Sequence, residues 1–175
     1  MTSCLSENVN NWLNQFRLLV FGLINIYTSS VIPFLKGYCT VDKKKVVFVC
    51  VHNSCRSQMS EGWAEFLGAD VIAAYSAGTE KYHQVKPLAI QVMEEAGVDM
   101  SGHYPKLLDG IPLEVDILIS MGCGVICPFV LCEYEEDWGI EDPSGKSIEE
   151  FRITRDILKN RVQTLISDIK TGKYD

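Results

Sequence analysis

With 175 residues, 47% of them hydrophobic and 22% charged, the chain is long enough for one globular domain with its own core plus a smaller piece, and its composition excludes a disordered protein. A net charge of −7 and a pI near 5.0 argue against a nucleic-acid-binding surface, which needs a basic face, although a local basic pocket remains allowed. Seven cysteines, an odd number with a core-forming composition and no evident signal peptide, speak against a secreted disulfide framework and for a reducing cytoplasm with chemically active thiols.

A composition break near Val41–Lys45 separates residues 1–42, an N-terminal extension, from a domain spanning 43–175. Within the extension, Leu18 to Leu35 reaches the lower limit of length for crossing a bilayer. Asn25, Thr28, Ser29, Ser30 and Pro33 interrupt it, so a peripheral helix or irregular appendage is preferred over a membrane anchor. After Lys43-Lys44-Lys45, the valine-rich run to Val51 reads as a strand buried on both faces. Gln58–Leu67 reads as a helix with Met59, Trp63 and Phe66 on one side, and Val71–Ser76 as a strand closed by Ala77-Gly78. Pro87–Ala96 reads as a helix, with Pro87 suited to its first turn and Gly97 to its stop. Val115–Ser120 is the next strand. Ser147–Ile169 forms a long helix on Phe151, Leu158, Val162, Leu165 and Ile169. This alternation predicts an α/β fold around a small parallel sheet, with the ligand beyond the carboxyl ends of its strands.

The strand Val46–Val49 runs into Cys50-Val51-His52-Asn53-Ser54-Cys55-Arg56-Ser57, and a helix follows. Such a short loop turns several backbone N–H groups inward and makes an anion nest, with the helix dipole adding positive charge. A thiol held there ionises readily, and the thiolate is the nucleophile. Arg56 can fork two hydrogen bonds onto an oxyanion, and Ser57 can donate its hydroxyl to the sulfur. Cys50 is therefore the candidate nucleophile, with residues 51–57 as its oxyanion loop. His52 and Cys55 read as loop-packing residues.

The segment Val49-Cys50 with Asn53-Ser54-Cys55-Arg56-Ser57-Gln58-Met59-Ser60-Glu61-Gly62 resembles the opening of thioredoxin-coupled arsenate reductases, which share the fold of low-molecular-weight protein tyrosine phosphatases. The resemblance continues through Tyr75-Ser76-Ala77-Gly78, Asp116-Ile117-Leu118, Gly122-Cys123, Cys127-Pro128, Trp138-Gly139 and Asp142-Pro143. It covers about residues 45 to 170 and leaves out the first forty or so. It implies a three-layer sandwich about a small central parallel sheet. It also implies arsenate as substrate, phosphate as a competing oxyanion, and thioredoxin or a similar thiol donor as partner, with no tightly bound cofactor.

The cluster Cys123, Cys127 and Cys132 admits three readings: a structural zinc site lacking a fourth ligand, inert packing cysteines, or a thiol relay. The resemblance favours the relay. Cys50 binds arsenate, Cys123 attacks the Cys50 sulfur as arsenite leaves, and Cys127 then takes the disulfide from Cys123. Cys123 and Cys127 have three residues between them, closer than the family pattern, so Cys132 stays open as the alternative third thiol. The segment from Gly122 to Glu136 is expected to be flexible. Asp142, before Pro143, fills the acid's role by the same resemblance. Asn53, Glu61 and Ser76 match part of a potassium site in the family. Lys106 stands where a carboxylate is expected, so its ammonium is predicted to replace the metal. The competing functions are a phosphotyrosine phosphatase acting through a phosphocysteine at Cys50, disfavoured because Ser144-Gly145-Lys146 rather than aromatic residues follow Pro143, and a non-catalytic oxyanion-binding module.

Overall fold

Val46, Val47, Phe48 and Val49 have no solvent exposure at all, as a strand achieves only between neighbours and under cover on both faces. In the computed structural model, which describes residues 42–122 and 130–175, they form β1 (Lys44–Cys50). With β2 (Ile72–Gly78), β3 (Glu114–Ser120) and β4 (Leu131–Asp137) it makes a sheet of order β2-β1-β3-β4, and every pairing is parallel. Three α-helices accompany it among the described residues: α1 (Arg56–Gly68), α2 (Pro87–Glu95) and α3 (Ile148–Lys170), with a 3-10 turn at Leu108–Gly110. The expected α/β fold with a small central parallel sheet is present.

Alternation along β1 divides the core. Val46 and Phe48, with Ile117 and Ile119, join Met59 and Trp63 of α1, Val92 and Met93 of α2, and Phe151, Leu158 and Val162 of α3. Val47 and Val49 face the other way, into a smaller cluster with Ala77, Leu118, Ile111 and Leu108 from the segment carrying the 3-10 turn. Register brings the carboxyl ends together, since Cys50 lies opposite Gly78 and Val49 opposite Ser120.

Two expectations need correction. Leu131–Asp137 is not a flexible stretch but an edge strand paired to β3 from Glu114 to Ser120. Its mostly exposed, acidic sequence has no apolar run, because an edge strand is held by backbone bonds on one side and benefits from charge on the other. Phe66, placed on the buried side of α1, is 57% exposed and reaches only the edge of Trp63. No helix of the described residues is long and apolar enough to cross a membrane. Leu18–Leu35, like all of the extension up to residue 41, lies outside the described residues.

Candidate active site

The chain leaves β1 at Cys50, turns through five residues and enters α1 at Arg56. Helix α1 has neither a capping side chain nor an acidic residue in its first turn, unlike α3, which carries Glu149 and Glu150 there. Its first N–H groups are thus left for an external anion. The turn depends on Asn53, whose φ of 48° lies in the left-handed region that asparagine tolerates. In that conformation Asn53 points its backbone N–H at Cys50 Sγ, 3.2 Å away, and Ser57 Oγ approaches the same sulfur at 3.0 Å.

Neighbouring segments pin the loop. Glu80 N donates to Val51 O at 2.8 Å, Lys86 N to Ser54 O at 2.7 Å, and Lys106 N to Asn53 Oδ1 at 2.7 Å. Gly78 closes the floor: a Cβ there would stand 2.8 Å from Val51 O and 2.9 Å from Asn53 N, so only glycine lets β2 and the loop approach this closely.

Arg56 is 6% exposed and ties two segments, the exit of β3 and the stretch after β4, to the loop. Its Nη1 donates to Met121 O at 2.8 Å and Ile140 O at 2.6 Å, and its Nη2 to Asp142 Oδ2 at 3.0 Å. Nε is the one buried side-chain nitrogen or oxygen without a partner among the described residues, a donor suited to an oxyanion. Asp142 is about half exposed and also accepts from Ser144 N at 2.9 Å. Burial favours its neutral form, but Ser144 and the Arg56 guanidinium outweigh burial and hold the carboxyl below its usual range. The sequence suggested an acid; the structure adds that in this state Asp142 is the ion-pair partner of Arg56.

Behind the loop, Glu61 is buried and takes Ser76 Oγ at 2.6 Å and Lys106 Nζ at 2.9 Å on each carboxylate oxygen. Burial pushes its carboxyl up, but bonds from His103, Ser76 and Lys106 more than reverse that and leave it lowered. Asn53, Glu61, Ser76 and Lys106, grouped by the resemblance, are therefore brought together.

The remaining residues divide. Cys55 is a buried packing residue, and burial, reinforced by Asp142, pushes its thiol far above the ordinary value. His52, expected to pack the loop, lies at its surface: its side chain is 44% exposed, sits tilted against Tyr82 with ring centroids 5.1 Å apart and meets Glu80 at 3.3 Å. Cys132 sits on β4 opposite Val115, at the other end of the sheet from Cys50, because β4 starts there and runs parallel to β3. Cys123 and Cys127 lie outside the described residues. The pair Gln58 and His103, which the fold joins at 2.9 Å across 45 positions, was not foreseen. No local pattern could have signalled that contact.

The family model for low molecular weight phosphotyrosine protein phosphatases matches residues 45–174. A glutaredoxin arsenate reductase from Synechocystis sp. is 48% identical over 130 residues, which cover 72% of this chain and 98% of the relative. The solved structure of an arsenate reductase in the phosphate-binding state is 48% identical, with a TM-score of 0.67 over 72% of this chain and 98% of that one. A thioredoxin-dependent arsenate reductase from Corynebacterium glutamicum is 28% identical, with a TM-score of 0.63 over 81% of this chain and 68% of that one.

Proposed function

The chain belongs to the low molecular weight phosphotyrosine protein phosphatase family, and on that premise we propose that it reduces arsenate to arsenite, with Cys50 as nucleophile and thiols as the source of two electrons. The Cys50 thiolate attacks arsenic in arsenate, and one arsenate oxygen leaves as water. Backbone N–H groups of residues 51–57 and the unpaired Arg56 Nε stabilise the remaining oxygens. An anion bound there competes with Asp142 for Arg56. Released from its ion pair and facing negative charge, Asp142 then carries the proton that the leaving oxygen needs.

Cys123 next attacks Cys50 Sγ. The sulfur–arsenic bond breaks, its electron pair stays on arsenic, and arsenite departs, leaving a Cys50–Cys123 disulfide. Cys127 attacks Cys123, Cys50 is freed as thiolate, and an external dithiol reduces the Cys123–Cys127 disulfide. One observation carries this reading. Strand β3 ends beside the nucleophile, with Ser120 opposite Val49 and Met121 O bonded to Arg56, so the chain passes from the floor of the oxyanion site to Cys123 within two residues. Cys132 is the weaker third thiol, because its strand begins at the far end of the sheet. Lys106 serves as the internal cation for Glu61, which makes bound potassium unnecessary.

The reductant is a thioredoxin or a glutaredoxin, since the relatives include a glutaredoxin arsenate reductase and a thioredoxin-dependent one. Cleavage of aryl phosphates is the second reading, favoured by the His52–Tyr82 aromatic pair beside the loop rather than by anything after Pro143. The test is NADPH oxidation by the full chain with arsenate, run once with thioredoxin and its reductase and once with glutathione, glutaredoxin and glutathione reductase. Sustained turnover in one system is expected, abolished by Cys50→Ser and by Cys123→Ser. NADPH left unconsumed in both, with brisk turnover of phosphotyrosine peptides, makes the protein a phosphatase.

A further inference from the structure

Lys86 stands where local preference opposes it. It is the N-cap of α2, at φ −59° and ψ 127°, a position that favours Ser, Thr, Asp or Asn, and it makes no capping bond there. The helix dipole disfavours a cation at this end, and the first turn of α2 holds no acidic residue to offset it. Lys44 and Lys106, half-buried like Lys86, each meet a carboxylate, whereas Lys86 meets none among the described residues. A charge kept in such a place, in a chain of net charge −7, asks for a role outside helix stability.

Both ends of the residue are tied to the oxyanion loop. Its backbone N–H donates to Ser54 O at 2.7 Å. Its ammonium donates to Tyr82 Oη at 2.8 Å and lies 4.8 Å from that ring's centroid. The same ring leans on His52 of the loop, with centroids 5.1 Å apart. The ammonium is thus held beside the loop, and Tyr82 takes one of its hydrogens, leaving two for water or an anion. Its charge also reaches the loop's interior: burial, Asp142 and Cys50 raise the Cys55 thiol, and Arg56 and Lys86 act against them.

We propose that Lys86 is a substrate-recognition residue, which supplies a second fixed positive charge at the mouth of the oxyanion loop and raises its affinity for a tetrahedral dianion. Arg56 acts by directed hydrogen bonds, Lys86 by charge. Because that attraction scales with the charge of the ligand, it favours a doubly charged oxyanion over a singly charged one of the same shape. The proposal rests on residues 50–57 binding an oxyanion and is independent of arsenate, relay and reductant.

The test uses sulfate, a dianion throughout the neutral range. Its affinity is read from the protection it gives Cys50 against iodoacetamide in the full chain at low, fixed ionic strength, followed on the Cys50 peptide by mass spectrometry. One charge acting on a dianion through a wet mouth corresponds to about fivefold in affinity. Lys86→Arg is therefore expected to bind sulfate within about twofold of wild type, Lys86→Met about fivefold more weakly, and Lys86→Glu about twenty-fivefold more weakly. Added sodium chloride should narrow these differences. Unfolding temperatures of Lys86→Met and Lys86→Glu should equal or exceed that of wild type, because each relieves the start of α2 of a cation. Equal weakening in Lys86→Met and Lys86→Glu, or a loss in Lys86→Arg as large as in Lys86→Met, overturns the proposal. Wild-type affinity in Lys86→Met, or a lowered unfolding temperature in both uncharged and reversed variants, overturns it as well. A wild type that sulfate does not protect defeats the oxyanion reading beneath it, an outcome distinct from any difference among the variants.

Discussion

Replacing Lys106 by methionine keeps the length of the side chain and removes its charge. The ammonium lies 2.9 Å from both oxygens of Glu61, whose side chain is only 5% exposed, while the lysine side chain is 19% exposed. Removing one partner of a buried ion pair costs about 3–5 kcal/mol, because the other charge is left uncompensated. Ser76 still bonds Glu61 and His103 lies 3.6 Å from it, so the low end, about 3 kcal/mol, applies here. For a domain of this size that loss lowers the unfolding temperature by roughly 12 °C. The vacated space is faced by both oxygens of Glu61, one of which also takes the Ser76 hydroxyl, oxygen donors suited to a large monovalent cation. Potassium chloride in place of sodium chloride is therefore expected to restore part of the loss in Lys106→Met; a cation at a hundred times its dissociation constant returns about 2.7 kcal/mol. The wild type, with the ammonium in place, should show the same unfolding temperature and the same kcat/KM in either salt. Activation of the wild type by potassium, or a Lys106→Met protein as stable as wild type in sodium, refutes the reasoning.

Gly78→Ala pushes a methyl group into the backbone of the oxyanion loop and should cost about 1–3 kcal/mol. Its arsenate kcat/KM should fall far more than its stability, because Asn53 N is displaced from Cys50 Sγ; wild-type kcat/KM counts against this packing. Cys132 lies about 16 Å along the sheet from the level of Ser120, counting from its partner Val115. Cys132→Ser should therefore turn over normally while Cys127→Ser stalls as the Cys50–Cys123 disulfide, and peptide mapping that finds Cys123 joined to Cys132 reverses the assignment. Asp142 is held below its usual range, so the folded protein binds fewer protons than the unfolded chain and stability rises with pH in that window. The contribution is complete above the unfolded aspartate value near 3.9 and lost as pH falls through the folded one. Unfolding temperatures of Asp142→Asn should thus lie slightly below wild type near neutrality and converge with it in acid; a gap that widens in acid contradicts the ion pair.

What could be read from the sequence follows from how local each cause is. β1 and β3 announced themselves because strands covered on both faces carry runs of apolar residues, and α3 because its buried residues recur at helical spacing. The oxyanion loop was legible because nucleophile, arginine and hydroxyl all lie within eight residues between a strand and a helix. β4 was not, since its pairing needs only backbone groups and its side chains are chosen for water. Everything that required two distant segments to meet was also hidden. Gln58 with His103, Arg56 with Met121 and Ile140, and the remoteness of Cys132 all depend on register rather than on spacing.

Arg56 shows why the site cannot be divided into independent parts. Four directions are demanded of one side chain: two carbonyls, one carboxylate and the oxyanion at Nε. Lysine offers three donors around a single atom and could not span the carbonyls of Met121 and Ile140 while still facing the loop. Those carbonyls belong to segments that meet backbone to backbone: a Cβ on Gly122, whose φ is +76°, would stand 2.7 Å from the Cα of Gly139. The arginine thus ties the oxyanion loop, Asp142 and the exit of β3 to one junction, and Cys123 follows that junction directly in sequence. Binding of an oxyanion draws on the same guanidinium that anchors the approach to the second cysteine. An arginine charge used for anion binding alone would not need those carbonyl bonds; one that must also hold the start of the proposed thiol relay beside Cys50 does.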